Sequence, residues 1–178
     1  MDIEEFWHLV EQARCQVTDP SDANDIANQV TALLATHEPQ QILAAQQILW
    51  DLMAASYRAP LWAAAYLING GCSDDGFDYF RGWLIAQGKA AFERVVTDAD
   101  LLADLPAVRV AAVKGTCLEG EQTLCIAWDA YESATGAELP SDAFTINYPL
   151  LDPAWNFDFG DDSRVAARLP RIAALYPE

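Results

Sequence analysis

Apolar residues recur at helical spacing through the first half of the chain. Ile3, Phe6, Trp7, Val10 and Val17 share one face, with Asp2 and Glu5 placed as an acidic first-turn cap. Thr18-Asp19-Pro20-Ser21 breaks that helix, and a second starts near Asp22 with Ile26, Val30, Leu33 and Leu34 on one stripe. Pro39 suits the first position of a third helix, where its missing N–H costs nothing. That helix carries Ile42, Leu49, Leu52, Met53 and Tyr57 until Ala59-Pro60 ends or kinks it. From Leu61 to Ile68 there is no charged residue and no polar face, so this stretch is expected to be the buried central helix. Asn69-Gly70-Gly71 terminates it, because Asn and Gly tolerate a left-handed C-cap. Ser73 and Asp74 cap the next helix, whose core face is Phe77, Phe80, Trp83, Leu84 and Ile85. Gly88 marks a break, and Ala90 to Val96 resumes as a short helix.

The second half is less regular. Leu101 to Val113 contains Pro106 and fits either one broken helix or a short strand around Val108-Arg109-Val110. Glu121 to Thr135 reads as a helix with Leu124, Cys125, Trp128 and Tyr131 inward, stopped by Gly136. Residues 137–162 hold Pro140, Pro149 and Pro153 without helical periodicity, which predicts an extended segment pinned by Phe144, Tyr148, Trp155 and Phe157. Arg164 to Tyr176 closes the chain as a last helix interrupted near Pro170. The pattern predicts a predominantly all-α fold: one multi-helix domain over residues 1–178, built around a buried central helix, with an extended acidic-aromatic segment before the last helix.

Composition narrows the function classes. With 178 residues and 52% apolar content the chain can bury a sizeable core. Ten Lys+Arg against 27 Asp+Glu give a net charge of −17, which disfavours nucleic acid and anionic membranes as partners. No apolar run is long enough to span a bilayer. Met1 is followed by Asp-Ile-Glu-Glu rather than a basic leader, so a cytoplasmic location is expected. Cys15, Cys72, Cys117 and Cys125 contain no C-x-x-C pair, and reduced, mostly buried thiols are expected. With only His8 and His37 besides, no metal site and no cofactor is expected.

The block Ala65 to Gly88, Ala-Tyr-Leu-Ile-Asn-Gly-Gly-Cys-Ser-Asp-Asp-Gly-Phe-Asp-Tyr-Phe-Arg-Gly-Trp-Leu-Ile-Ala-Gln-Gly, resembles a bacterial family catalogued as domain of unknown function 4240. Phe6-Trp7, Tyr131-Glu132, Thr135-Gly136 and Glu138-Leu139-Pro140 add to the resemblance, as do Trp155-Asn156-Phe157-Asp158 and Arg168-Leu169-Pro170. It extends over nearly the whole chain. The resemblance implies a self-contained bacterial domain and names no catalytic residue.

Two segments can carry chemistry. In Asn69 to Arg81, Asp74, Asp75 and Asp78 lie within about one helical turn, with Asp78 and Arg81 three residues apart. This is either a small oxygen-ligand or acid/base site formed by Asn69, Asp74, Asp75, Asp78 and Arg81, or a set of helix-cap carboxylates with one ion pair. Cys72 as a nucleophile would need a histidine nearby, and a structural thiol is the simpler assignment. Trp50, Trp62, Trp83, Tyr66, Tyr79 and Phe80 are either core or the lining of a pocket. Residues 152–162 interleave acids and aromatics, so Trp155, Phe157, Asp158, Asp161 and Asp162 suit a basic, hydrophobic partner surface. The alternative is a solvated connector that caps the last helix. Arg164, Arg168 and Arg171 share a helical face and are expected to neutralise Asp158, Asp161 and Asp162.

No nucleophile elbow, phosphate loop or zinc-binding helix is present, and no catalytic residue is assigned. The expected function is therefore binding to a basic protein partner, as a regulator, adaptor or toxin-neutralising protein. An enzyme or small-ligand domain using the Asn69–Arg81 turn is the alternative.

Overall fold

The computed structural model describes residues 1–177. It is 68% helical, with no strand among the described residues. The helices are α1 (Ile3–Gln16), α2 (Ala23–Leu34), α3 (Pro39–Ser56), α4 (Ala59–Asn69) and α5 (Asp74–Ala86). There follow α6 (Lys89–Thr97), α7 (Pro106–Lys114), α8 (Gln122–Thr135), α9 (Asp162–Arg168) and α10 (Pro170–Ala173). Short 3-10 helices occupy Ala99–Asp104 and Pro153–Trp155. No described helix is long and apolar enough to cross a membrane.

Local chemistry sets the ends. Asp2 and Glu5 form a reciprocal capping box, Glu5 N–H donating to Asp2 at 2.9 Å and Asp2 N–H to Glu5 at 2.7 Å. Asp22 caps α2 by accepting the N–H groups of Asn24 and Asp25, without a reciprocal bond. Ala59-Pro60 opens α4 rather than ending α3, which already stops at Ser56. Proline is tolerated in a first turn, where no intrahelical N–H bond is lost. Gly70, at φ +68°, turns the chain out of α4, and Gly71 N–H bonds back to Tyr66 C=O at 2.8 Å.

One contiguous buried cluster runs from Phe6 to Ile172. α8 packs mainly against α2 and α3, and α1 against α2. The most deeply enclosed stretch is not Leu61–Ile68, in which Trp62, Tyr66 and Leu67 are half-buried, but Phe80–Ala86 of α5, buried at every position. Arg81 and Gly82 hide this in the sequence. Gly82 is required because a Cβ there would collide with the carbonyl oxygen of Gly120. Gly120 in turn lies against the Trp83 backbone and donates its N–H to Tyr79 C=O at 2.9 Å.

The close approach lies just ahead of α8 (Gln122–Thr135). The buried face of this helix is Thr123, Ile126, Ala127 and Ala130, while the expected Leu124, Cys125, Trp128 and Tyr131 are half-buried on its shoulder. Small side chains let α8 settle against α5, and the large ones are left to pack under the later chain. Fully buried Gln46 accepts the indole N–H groups of Trp50 (3.0 Å) and Trp128 (3.1 Å), joining α3 to α8. The Val108-Arg109-Val110 run is helical, not a strand: Pro106 starts α7, Val108 is buried, and Val110 and Val113 face outward.

Residues 137–161 cross the surface as a strap. Leu139, 2% exposed, is its unforeseen anchor. Phe144 lies parallel to Trp50 at 6.4 Å and edge-on to Trp128 at 6.1 Å. Gln47 clamps Thr145, accepting its N–H at 2.8 Å and donating to its C=O at 3.2 Å. Beyond the strap, buried Asp100 accepts the N–H groups of Arg171 and Ile172, both at 3.0 Å, and caps α10.

Candidate functional site

The turn between α4 and α5 spends most of its polar groups on the fold. Asn69 forms a two-way clamp, Leu118 N–H donating to its Oδ1 at 2.9 Å and its Nδ2 donating to Leu118 C=O at 3.3 Å. Ser73, rather than Asp74, is the N-cap of α5 and accepts Gly76 N–H at 3.1 Å. Asp74 and Asp75 are exposed in the first helical turn, where carboxylates complement the helix dipole. Among the described residues no three His, Cys, Asp or Glu side chains converge as a metal site.

Asp78 and Arg81 are brought together as the sequence spacing requires, but Arg81 is sealed off. Its side chain has no exposed surface, and it pairs with the quarter-exposed Asp78 carboxylate. Nη1 donates to Met53 C=O at 2.5 Å. The guanidinium lies 4.8 Å from the Phe77 ring centre, 5.1 Å from Tyr57 and 5.9 Å from Tyr148. Its Nε has no partner. Burial pulls its pKa down from the ordinary arginine value, and Asp78 followed by Tyr148 opposes that pull. Arg81 is thus the anchor on which the strap residue Tyr148 rests.

The acidic-aromatic strap meets α4 along a groove of about 550 Å³. Trp62, Tyr66 and Cys72 line one side; Asp152, Trp155, Phe157, Asp158 and Phe159 line the other. Trp62 stacks on Phe77 at 4.8 Å and meets Phe159 at a tilt at 6.5 Å. Of the five strap residues named from sequence, Trp155, Phe157 and Asp158 line this groove. Asp161 does not: it caps α9, and the Ser163 hydroxyl it accepts at 2.7 Å, then the Arg164 N–H at 3.1 Å, hold its pKa down. Asp162 borders a second, larger groove beside Tyr66 and Asn69. Asp152 and Phe159 were not singled out from sequence, although Phe157 and Phe159 stand at alternate positions and so share a side of an extended chain.

The three C-terminal arginines do not neutralise Asp158, Asp161 and Asp162. Arg164 lies 4.3 Å above Phe157, and Arg168 lies 4.8 Å from Trp155 and 5.1 Å from Phe157. Arg171 pairs instead with Asp104, which also takes Arg94 at 3.1 Å. The planar guanidinium stacks on an aromatic face with little loss of hydration, while Asp158 and Asp161 each accept a local backbone N–H through Oδ1 only.

Cysteine chemistry is not set up here. All four thiols are free, none is buried, and Cys15 and Cys117 are exposed, contrary to the expected buried placement. Burial, then the nearby Glu119, pushes the Cys72 thiol up to about 12, which keeps it protonated at neutral pH. His8 and His37 share a different groove, at the start of α1.

A family model described as Protein of unknown function (DUF4240) matches residues 1–133. Residues 134–178, with Trp155-Asn156-Phe157-Asp158 and Arg168-Leu169-Pro170, lie outside the matched span. No curated protein and no solved structure matches the chain.

Proposed function

The chain belongs to the DUF4240 family of proteins of unknown function, and from that premise we propose that it works by binding a basic protein partner through the acidic strap side. The observation that supports this most is the charge along residues 115–163. This span holds ten Asp and Glu and no Lys, Arg or His. It includes the whole strap, whose Ile146, Tyr148 and Leu150 are 48%, 49% and 100% exposed. Carboxylates there steer a cationic partner, and the exposed apolar side chains supply contact area once it arrives. By contrast, Asn69, Asp78 and Arg81 are committed to structural bonds, which leaves the α4–α5 turn little with which to hold a ligand.

The test is capture from the native host with the wild-type protein and an Ile146→Ser, Leu150→Ser variant, both checked for unchanged melting. A basic protein retained by the wild type at low salt, released by added salt and lost with the variant supports the proposal. Equal capture by both proteins, or partners that are acidic, contradicts it.

A further inference from the structure

We propose that the groove between α4 and the strap is a seat for a Lys or Arg side chain presented by an extended segment of that basic partner. The inference rests on the protein-binding function above and assigns its recognition point. Three observations meet here. First, the groove is walled by aromatic rings on both sides, Trp62 and Tyr66 from α4 facing Phe159 and Phe157 from the strap. Phe77 covers one face of Trp62, and Phe159 meets that indole at 57°, which gives a concave aromatic corner. Such a corner attracts a cation through the ring quadrupoles.

Second, this aromatic rank already accepts guanidinium groups. Arg164 and Arg168 sit on Phe157 and Trp155. Among the described residues no cation lies over Trp62, Tyr66 or Phe159 in the same way; Trp62 has Phe77 stacked on one face and Tyr57 at 5.9 Å, and its groove side is shared with Tyr66 and Phe159.

Third, the groove's own charged residues are carboxylates, while the guanidinium groups of Arg164 and Arg168 lie on two of its lining rings, Phe157 and Trp155. The lining includes Asp152 and Asp158 and no basic residue. Each carboxylate uses Oδ1 to accept a local backbone N–H, from Ala154 and Gly160 respectively, both at 2.9 Å. These bonds hold the two side chains in place and leave Oδ2 of each for a donor from outside. Aromatic walls with a carboxylate rim match an alkyl stem ending in a cation, which buries its methylenes and keeps its charge paired. They do not match an anion or a purely apolar group.

The experiment follows the tryptophan indole N–H signals of the intact, ¹⁵N-labelled protein by NMR. The probe is an acetylated, amidated Gly-Arg-Gly-Arg-Gly-Arg peptide, with Gly-Gln-Gly-Gln-Gly-Gln as the neutral control. The Trp62 signal is assigned with Trp62→Phe, and buried Trp7 and Trp83 serve as internal references. The expected result is a saturable, salt-sensitive shift of Trp62 with the arginine peptide only. Asp152→Asn with Asp158→Asn should weaken it by about tenfold. Asparagine keeps Oδ1 as the turn acceptor, so this variant retains the local fold. An equal shift with the glutamine peptide, or a shift indifferent to the two Asp replacements, overturns the seat. The backbone amide signals are followed in the same spectra: salt-sensitive amide shifts confined to other acidic surfaces remove the groove and leave the wider binding function standing. No shift anywhere removes both.

Discussion

Replacing Asp78 with Ala should strand the Arg81 charge. The guanidinium is fully buried and would keep the Met53 carbonyl, Tyr148 and the ring faces of Phe77 and Tyr57 as partners. Leaving one member of a buried ion pair without the other costs about 3–5 kcal/mol. Asp78 is 25% exposed, so water can take part of its place, and the expected loss is about 3 kcal/mol at the low end of that range. For a chain of this length that corresponds to a fall in Tm of roughly 6–12 °C. Arg81→Met with Asp78→Ala should regain most of the loss, because an apolar side chain of similar length leaves no charge behind. Urea unfolding followed by circular dichroism at neutral pH would measure all three proteins. A cost below about 0.5 kcal/mol for Asp78→Ala, the scale of an exposed pair, would refute the reasoning. So would a double variant less stable than the single one.

Other expectations follow from the same contacts. Gly82→Ala should destabilise the fold by roughly 1–3 kcal/mol through the clash with the Gly120 carbonyl, and unchanged urea unfolding would count against that close approach. Asn69→Ala should lower stability by about 1–3 kcal/mol, since Leu118 loses both clamp bonds, and should leave partner affinity unchanged; a loss of affinity without a loss of Tm would make Asn69 a binding residue. Asp104 is held below the ordinary carboxylate pKa first by the hydrogen bond from Arg171, then by Arg94 and Arg109. Its contribution is therefore full above about pH 4 and lost as the pH falls through the depressed folded value. Tm profiles from pH 7 to pH 3 should fall less steeply for Asp104→Asn than for the wild type, and parallel profiles would exclude this role.

The helices were legible because their signals are local. Asp2 with Glu5, Asp22, Pro39 and Gly70 act through neighbours a few residues away, so a single sequence displays them. Burial was misjudged where it depends on a distant backbone. Nothing near Gly82 reveals that Gly120 lies against it, yet that close approach belongs to Phe80–Ala86, which is buried at every position. The site shows the same division. The pairing of Asp78 with Arg81 is one helical turn and was visible, whereas the ring stack that seals Arg81 includes Tyr148 from the strap. Charge arithmetic also misled: opposite charges near Arg164 and Arg168 suggested ion pairs, but their aspartates are held by turns and the arginines lie on aromatic rings.

In the proposed mode of action the strap side recognises a basic partner by charge and then holds it by its aromatic groove. The most direct measurement is the association and dissociation rate of the captured partner at low and high ionic strength, for the wild type, Trp155→Ala, and Asp152→Asn with Asp158→Asn. Wild-type association should slow markedly with salt, the double Asp variant should associate more slowly with a weaker salt dependence, and Trp155→Ala should dissociate faster. Association indifferent to salt in the wild type, or a Trp155→Ala protein that melts earlier and binds with unchanged rates, would contradict this mode of action.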